Sequence, residues 1–194
     1  MGHSGSTPVE TSNDLDINGD FVNEGGTSFI TNDFDMFVAG DWSNFSDATF
    51  VAGTATVVFD GTGTQQINGD TTYYNFYKVV NTAGTLVFDN TAEQTITNSL
   101  TMTGTVGQLL RLESDSPPMM WEISLLPGGT QTLRYLSVGD SDASGGLLLV
   151  AGTTSVESPV SSTINWSFGA ATLTWEGDSL IDARSEEHTS ELQS

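Results

Sequence analysis

Apolar and polar residues alternate along this chain in short runs, each ended within a few residues by a turn. Residues 99–106 (SLTMTGTV) keep a strict period of two, the mark of a half-buried strand. Residues 72–80 (TYYNFYKVV) are rich in β-branched and aromatic side chains. Residues 54–59, 65–68, 85–88, 109–112, 121–126, 130–138 and 147–150 read as further strands. Turns fall at 60–63, 81–84 and 139–146, and Pro117-Pro118 marks a loop or corner. No segment carries an apolar stripe of helical period, so almost no helix is predicted.

The pattern also repeats. TVVFDGTGTQQI at 56–67 returns as TLVFDNTAEQTI at 85–96, 29 residues later. GDFVNEGGTSFI at 19–30 returns as GDWSNFSDATFV at 40–51, 21 residues later. Periods of this length belong to stacked architectures, in which one coil cannot bury its apolar side and its neighbours cover it. The expected fold is all-β: a right-handed parallel β-helix (β-solenoid) of roughly six to eight rungs at strand spacing, with a β-sandwich as the alternative. Val58, Phe59, Ile67, Val87, Phe88, Ile96, Leu100 and Met102 are expected on the inner side, with Phe59 and Phe88 one above the other. Thr and Asn are expected to form ladders outside or at corners.

Composition narrows the function classes. The apolar share is 37%, low for a compact globule and usual for a thin solenoid. Four basic residues stand against 25 acidic ones, a net charge of −21, which argues against nucleic acid and anionic membrane as partners. There is no cysteine, so disulfides, thiolate nucleophiles and Cys-based zinc sites are excluded. No stretch approaches the length of a membrane span.

Residues 184–194 (RSEEHTSELQS) are similar to the translation of a common short-read sequencing adapter and are read as a non-native tail. The organisation expected is therefore a disordered tail at 1–13, a β-solenoid repeat module at 14–170, the truncated start of a further module at 171–183, and the adapter-derived tail. The polar start lacks the apolar segment of a signal peptide and reads as an arbitrary beginning inside a longer frame.

Residues 40–69, followed by TTYYNFYKVVNTAGTLVFDNTAEQTITNSLTMTGTV at 71–106, resemble repetitive bacterial cell-surface proteins of the β-solenoid type. These are large secreted chains, adhesin-like or haemagglutinin-like. Residues 135–168, with SVGDSDASGG and NWSF, resemble a module ending common in such chains. The resemblance implies an extracellular or cell-surface location and a spacer or adhesive role without catalysis. It also implies neighbouring solenoid modules of the same chain, and extracellular glycans or cell-surface components, as partners.

Candidate chemistry is sparse. Asp14, Asp16, Asn18, Gly19 and Asp20 match the opening of a calcium loop, but the twelfth position is Gly25 where a bidentate Glu is needed. Asp140 and Asp142, in a Gly-rich turn, are the candidate metal ligands, with calcium the ion they would take; no other cofactor is expected. Trp42, Tyr73, Tyr74, Tyr77, Trp121 and Trp166 are candidates for a sugar-stacking strip. A calcium-dependent carbohydrate-binding module is thus the alternative function. A polysaccharide-cleaving β-helix enzyme is a weaker one, since Lys78, Arg111 and Arg134 are spread through the chain and His3 lies in the tail.

Overall fold

A computed structural model describes residues 8–169. Short strands follow one another around the axis of a β-solenoid of about seven turns, every ladder between them is parallel, and no helix occurs among the described residues. The first coil is β1 (Val9–Glu10), β2 (Leu15–Ile17) and β3 (Phe21–Asn23). The next two are β4 (Ser28–Ile30), β5 (Met36–Val38) and β6 (Trp42–Asn44), then β7 (Thr49–Val51), β8 (Thr56–Phe59) and β9 (Thr64–Asn68). The middle coils run β10 (Thr71–Val79), β11 (Gly84–Phe88), β12 (Glu93–Thr103) and β13 (Leu110–Ser114). After them come β14 (Trp121–Leu125), β15 (Thr130–Arg134), β16 (Leu136–Val138), β17 (Ser141–Asp142), β18 (Leu149–Val150), β19 (Val156–Glu157), β20 (Thr163–Ile164) and β21 (Trp166–Ser167).

The pairings define three faces. One is the unbroken order β3-β6-β9-β11-β13-β16-β19. The other two are joined by β10 and β12, each long enough to turn a corner without ending. The first half of β12 pairs with β14 and its second half with β15. A register shift between Tyr73 and Asn75 marks the bend in β10. Where the ladder lapses between β15 and β18, the Gln131 side chain stands in. It donates to the Leu148 carbonyl at 2.9 Å and accepts from the Val150 N–H at 2.7 Å.

Successive side chains of a strand point to opposite sides, so each strand contributes alternate residues to the interior. Phe59, Ile67, Phe88, Ile96, Leu100 and Met102 are fully buried, as expected. Val58 and Val87 are not inner residues: Val57 and Leu86 take those places, because two adjacent residues of one strand cannot share a side. Stacked rings line the column, with Phe21 on Trp42 at 4.2 Å and Phe88 on Trp121 at 3.9 Å between centroids. Each such burial contributes about 1.5–3 kcal/mol.

The two repeats behave differently. The 21-residue repeat is a true rung: Phe21 pairs with Trp42, Asn23 with Asn44 and Phe29 with Phe50. The 29-residue repeat is not. Phe59 lies on β8, beside Val38, whereas Phe88 lies on β11, beside Ile67, so both are inside the column but on different faces. What recurs is a strand–Asp–turn–strand corner, used once between β8 and β9 and again between β11 and β12.

Three further expectations change. Ordered pairing begins at Val9, inside the 1–13 tail, because Val9 and Glu10 add to Phe29 and Ile30. The run 130–138 is two strands, broken where Tyr135 takes φ 54° and turns a corner. The 139–146 turn contains the short β17. The 171–183 and 184–194 segments lie outside the described residues.

Candidate functional site

The aspartates have a common task at the corners. A parallel ladder satisfies most backbone groups along a face, but some N–H groups at and near the corners need another acceptor. Asp14 Oδ1 accepts from the Asp35 N–H at 3.1 Å, and Asp35 Oδ1 accepts from the Thr56 N–H at 2.7 Å, each one coil further on. Asp20 serves Asp41 at 2.9 Å, Asp41 serves Gln66 at 2.7 Å, and Asp33 serves Thr54 at 2.7 Å. Asp70 serves Glu93 at 2.8 Å. The calcium-loop-like stretch is therefore a strand between two corners, with Asp16 pointing outward from β2 and paired with Phe37.

Asp140 and Asp142 do not converge. Asp140 is buried at a corner with φ 47°, where Oδ1 accepts from the Ser162 N–H at 3.3 Å. Asp142 faces outward, its Oδ1 accepting from the Ser144 N–H at 2.8 Å. Asp142 pairs with Glu122, and Glu122 with Glu93, so three carboxylates stand in register beside a groove of about 180 Å³. Ser124 Oγ donates to Glu93. Among the described residues no three acidic or histidine side chains gather closely enough to hold a metal ion.

The proposed aromatic strip divides. Trp42, Tyr73 and Trp121 are fully buried; Tyr74 and Trp166 are half-buried, and only Tyr77 is exposed. Trp42 Nε1 donates to Thr71 Oγ1 at 3.0 Å and Trp121 Nε1 to the Gly139 carbonyl at 2.9 Å, so these rings are tied to the core. Burial raises the Tyr73 phenol well above its ordinary range, against an opposing influence from Thr71, and among the described residues its oxygen has no partner in bonding geometry.

The basic residues are separate. Arg111 Nε donates to Glu113 at 2.7 Å, and Arg134 is exposed. Lys78 is fully buried, donating to the Gly61 carbonyl and to Gln65 Oε1, both at 2.6 Å. Burial lowers its pKa to about 8, with the Asp60 carboxylate pulling the other way.

A further concavity lies elsewhere. The corner after β6 is a four-residue loop, 45–48, and the corner after β11 is another, 89–92. Between them the corner after β9 is only Gly69 and Asp70. This mismatch in loop length cuts a notch of about 480 Å³, floored by Gly69 and Asp70, with Phe45 on one rim and Thr91 on the other. Gly69 holds φ 77°, and a Cβ there would sit 1.9 Å from the Asn44 carbonyl oxygen, so only glycine permits the short corner. Asn44 Nδ2 donates to the Asp70 carbonyl at 2.7 Å. Asp89 accepts from the Thr91 N–H at 2.8 Å and hydroxyl at 2.7 Å, and from Gly69 at 3.4 Å. Burial pushes the Asp89 carboxyl up, but these hydrogen bonds outweigh it and hold it below its ordinary value. The sequence reading passed over Phe45, whose signal was a polar, loop-forming context (NFSD) around an aromatic residue.

No protein-family model, curated protein or solved structure matches this chain.

Proposed function

We propose that the chain is a structural and adhesive segment of a secreted bacterial surface protein, presenting a rigid acidic column to its surroundings and carrying no chemistry of its own. One observation supports this above others. The corner carboxylates at Asp14, Asp20, Asp33, Asp35, Asp41 and Asp70 each accept a backbone N–H of the next coil, so the acidity of the chain serves the stacking. The location at a cell surface and the glycan or cell-surface partners belong to the same reading and rest on the resemblance of the repeats. The test is incubation of the purified chain with neutral and acidic polysaccharides, reading new reducing ends, alongside its retention on glycan-coated beads. Retention without turnover is expected; release of reducing ends overturns the reading.

A second reading, calcium-dependent carbohydrate binding, rests on the Glu93, Glu122 and Asp142 carboxylates, which stand in register along one ladder without gathering into a closed metal site. Calorimetric titration with calcium tests it, and the absence of heat ends it.

A further inference from the structure

We propose that the notch between Phe45 and Thr91 is a binding site for a neutral saccharide. This deepens the adhesive part of the function proposed above, and the spacer part stands without it. Phe45 is 54% exposed, the most exposed aromatic ring among the described residues. It lines a shallow notch of about 480 Å³, within the size range of small-ligand sites. The apolar C–H face of a pyranose packs on such a ring.

The rest of the notch offers hydroxyl partners. Asp70 gives one carboxylate oxygen to the Glu93 N–H, and its other oxygen has no partner among the described residues. The Ser46 hydroxyl has none either, while Asn68 is held in place by a 3.3 Å bond from its Nδ2 to Ser43 Oγ. Asp70 accepts from sugar hydroxyls, and Ser46 donates or accepts. Two carboxylates that line the notch, Asp70 and Asp89, repel uronates, sulfated sugars and phosphates. The chemical class is therefore a neutral hexose or N-acetylhexosamine unit. Because Asp70, Asn44 and Gly69 are fixed by rung-to-rung bonds, the site is formed before the ligand arrives.

The experiment is saturation-transfer NMR on the full chain with methyl hexosides and methyl N-acetylhexosaminides at millimolar concentration, with a methyl glucuronide as the acidic probe. At least one neutral glycoside is expected to receive transfer, and the glucuronide none. Phe45→Ala should weaken the positive glycoside by about tenfold or more, Phe45→Trp should retain it, and Tyr77→Ala should leave it unchanged. Circular dichroism and thermal unfolding of each variant should match the parent, since Phe45 and Tyr77 are exposed and lie outside the buried core cluster. Transfer to no neutral glycoside, transfer to the glucuronide alone, or full binding by Phe45→Ala in a folded protein overturns the site. Turnover of polysaccharide is a separate outcome and bears on the function proposed above.

Discussion

The Lys78 ammonium donates to Gln65 Oε1 at 2.6 Å inside the column, and the matching glutamine of the second repeat, Gln94, has no donor for its Oε1 among the described residues. The difference follows from the lysine's position. Lys78 lies one residue past the Tyr77–Val58 pair, beside Phe59, whereas Ser114 pairs with the equivalent Phe88. Both glutamines still donate to main-chain carbonyls of the preceding coil, Gln65 to Val38 at 2.9 Å and Gln94 to Gly69 at 3.0 Å. The conserved part of the repeat is thus a glutamine that fastens a corner, and the lysine is an addition in one copy.

That buried cation makes stability depend on pH in an alkaline window. The unfolded Lys78 keeps its proton to about 10.5 and the folded one to about 8, so between these values the unfolded state binds more protons and stability rises with pH. The slope is at most about 1.4 kcal/mol per pH unit. Above pH 10 unfolded Tyr73 ionises while the buried phenol does not, and stability falls again. Urea unfolding from pH 7 to 11 should show this maximum. Lys78→Met should remove the rising limb. At pH 10 it should cost about 1–3 kcal/mol, because Gln65 Oε1 and the Gly61 carbonyl lose their donor.

The Asp89 carboxylate makes a second, acidic limb. Asp89 is held below its ordinary 3.8, so its contribution is present above that pH and is lost as pH falls through the lower folded value. Asp89→Asn should flatten the acid unfolding curve. Asp41→Ala, which orphans the Gln66 N–H, should cost about 1–2 kcal/mol at neutral pH, and Asp41→Asn, which keeps the acceptor oxygen, less than half of that. Urea midpoints with unchanged slopes check both.

Strand-forming runs and the stacked β-solenoid were legible in the sequence, and the 21-residue repeat carried the register directly: Phe21 over Trp42, Asn23 over Asn44. The 29-residue repeat misled about register because a corner motif can serve any corner of a three-faced column, and only coil length says which. Coil length varies here, since the loops 45–48 and 89–92 differ from the two-residue corner at Gly69–Asp70. The same variation hid the Phe45 notch, which exists only when a two-residue corner is stacked between two four-residue ones. The aspartates were visible as turn formers, but their rung-to-rung bonds depend on neighbours 21 to 25 residues away. Tyr135 defeated strand prediction because nothing local marks a tyrosine that adopts φ 54°.

The notch itself predicts a cost for filling its floor. Gly69→Ala meets both a positive φ and a backbone oxygen 1.9 Å from the new Cβ, so it should destabilise by at least about 2 kcal/mol. Gly107 also has positive φ, 74°, but nothing lies within 4 Å of a Cβ there. Gly107→Ala should therefore cost only the conformational part, about 1 kcal/mol. The difference between the two variants in thermal unfolding measures the close approach that shapes the notch. Equal costs would mean the short corner can move aside.

The first coil predicts association. Among the described residues, β2 and β3 pair on one side only, with β5 and β6. The Leu15 and Phe21 N–H groups point to the next coil, bonding Asp35 and Asp41 at 2.9 Å, so those of Asp16 and Val22 point the other way, toward an open edge. An open parallel edge is a template for another strand, and the net charge of −21 opposes the contact between copies at long range. Raising salt screens that repulsion. Sedimentation velocity should therefore show larger species at high ionic strength than at low. Val22→Pro removes an edge-facing N–H and no ladder bond, so it should leave the fold intact while suppressing the salt-induced species. A chain that stays monomeric at every ionic strength, or a Val22→Pro variant that associates as the parent does, would show that this edge is not where copies meet.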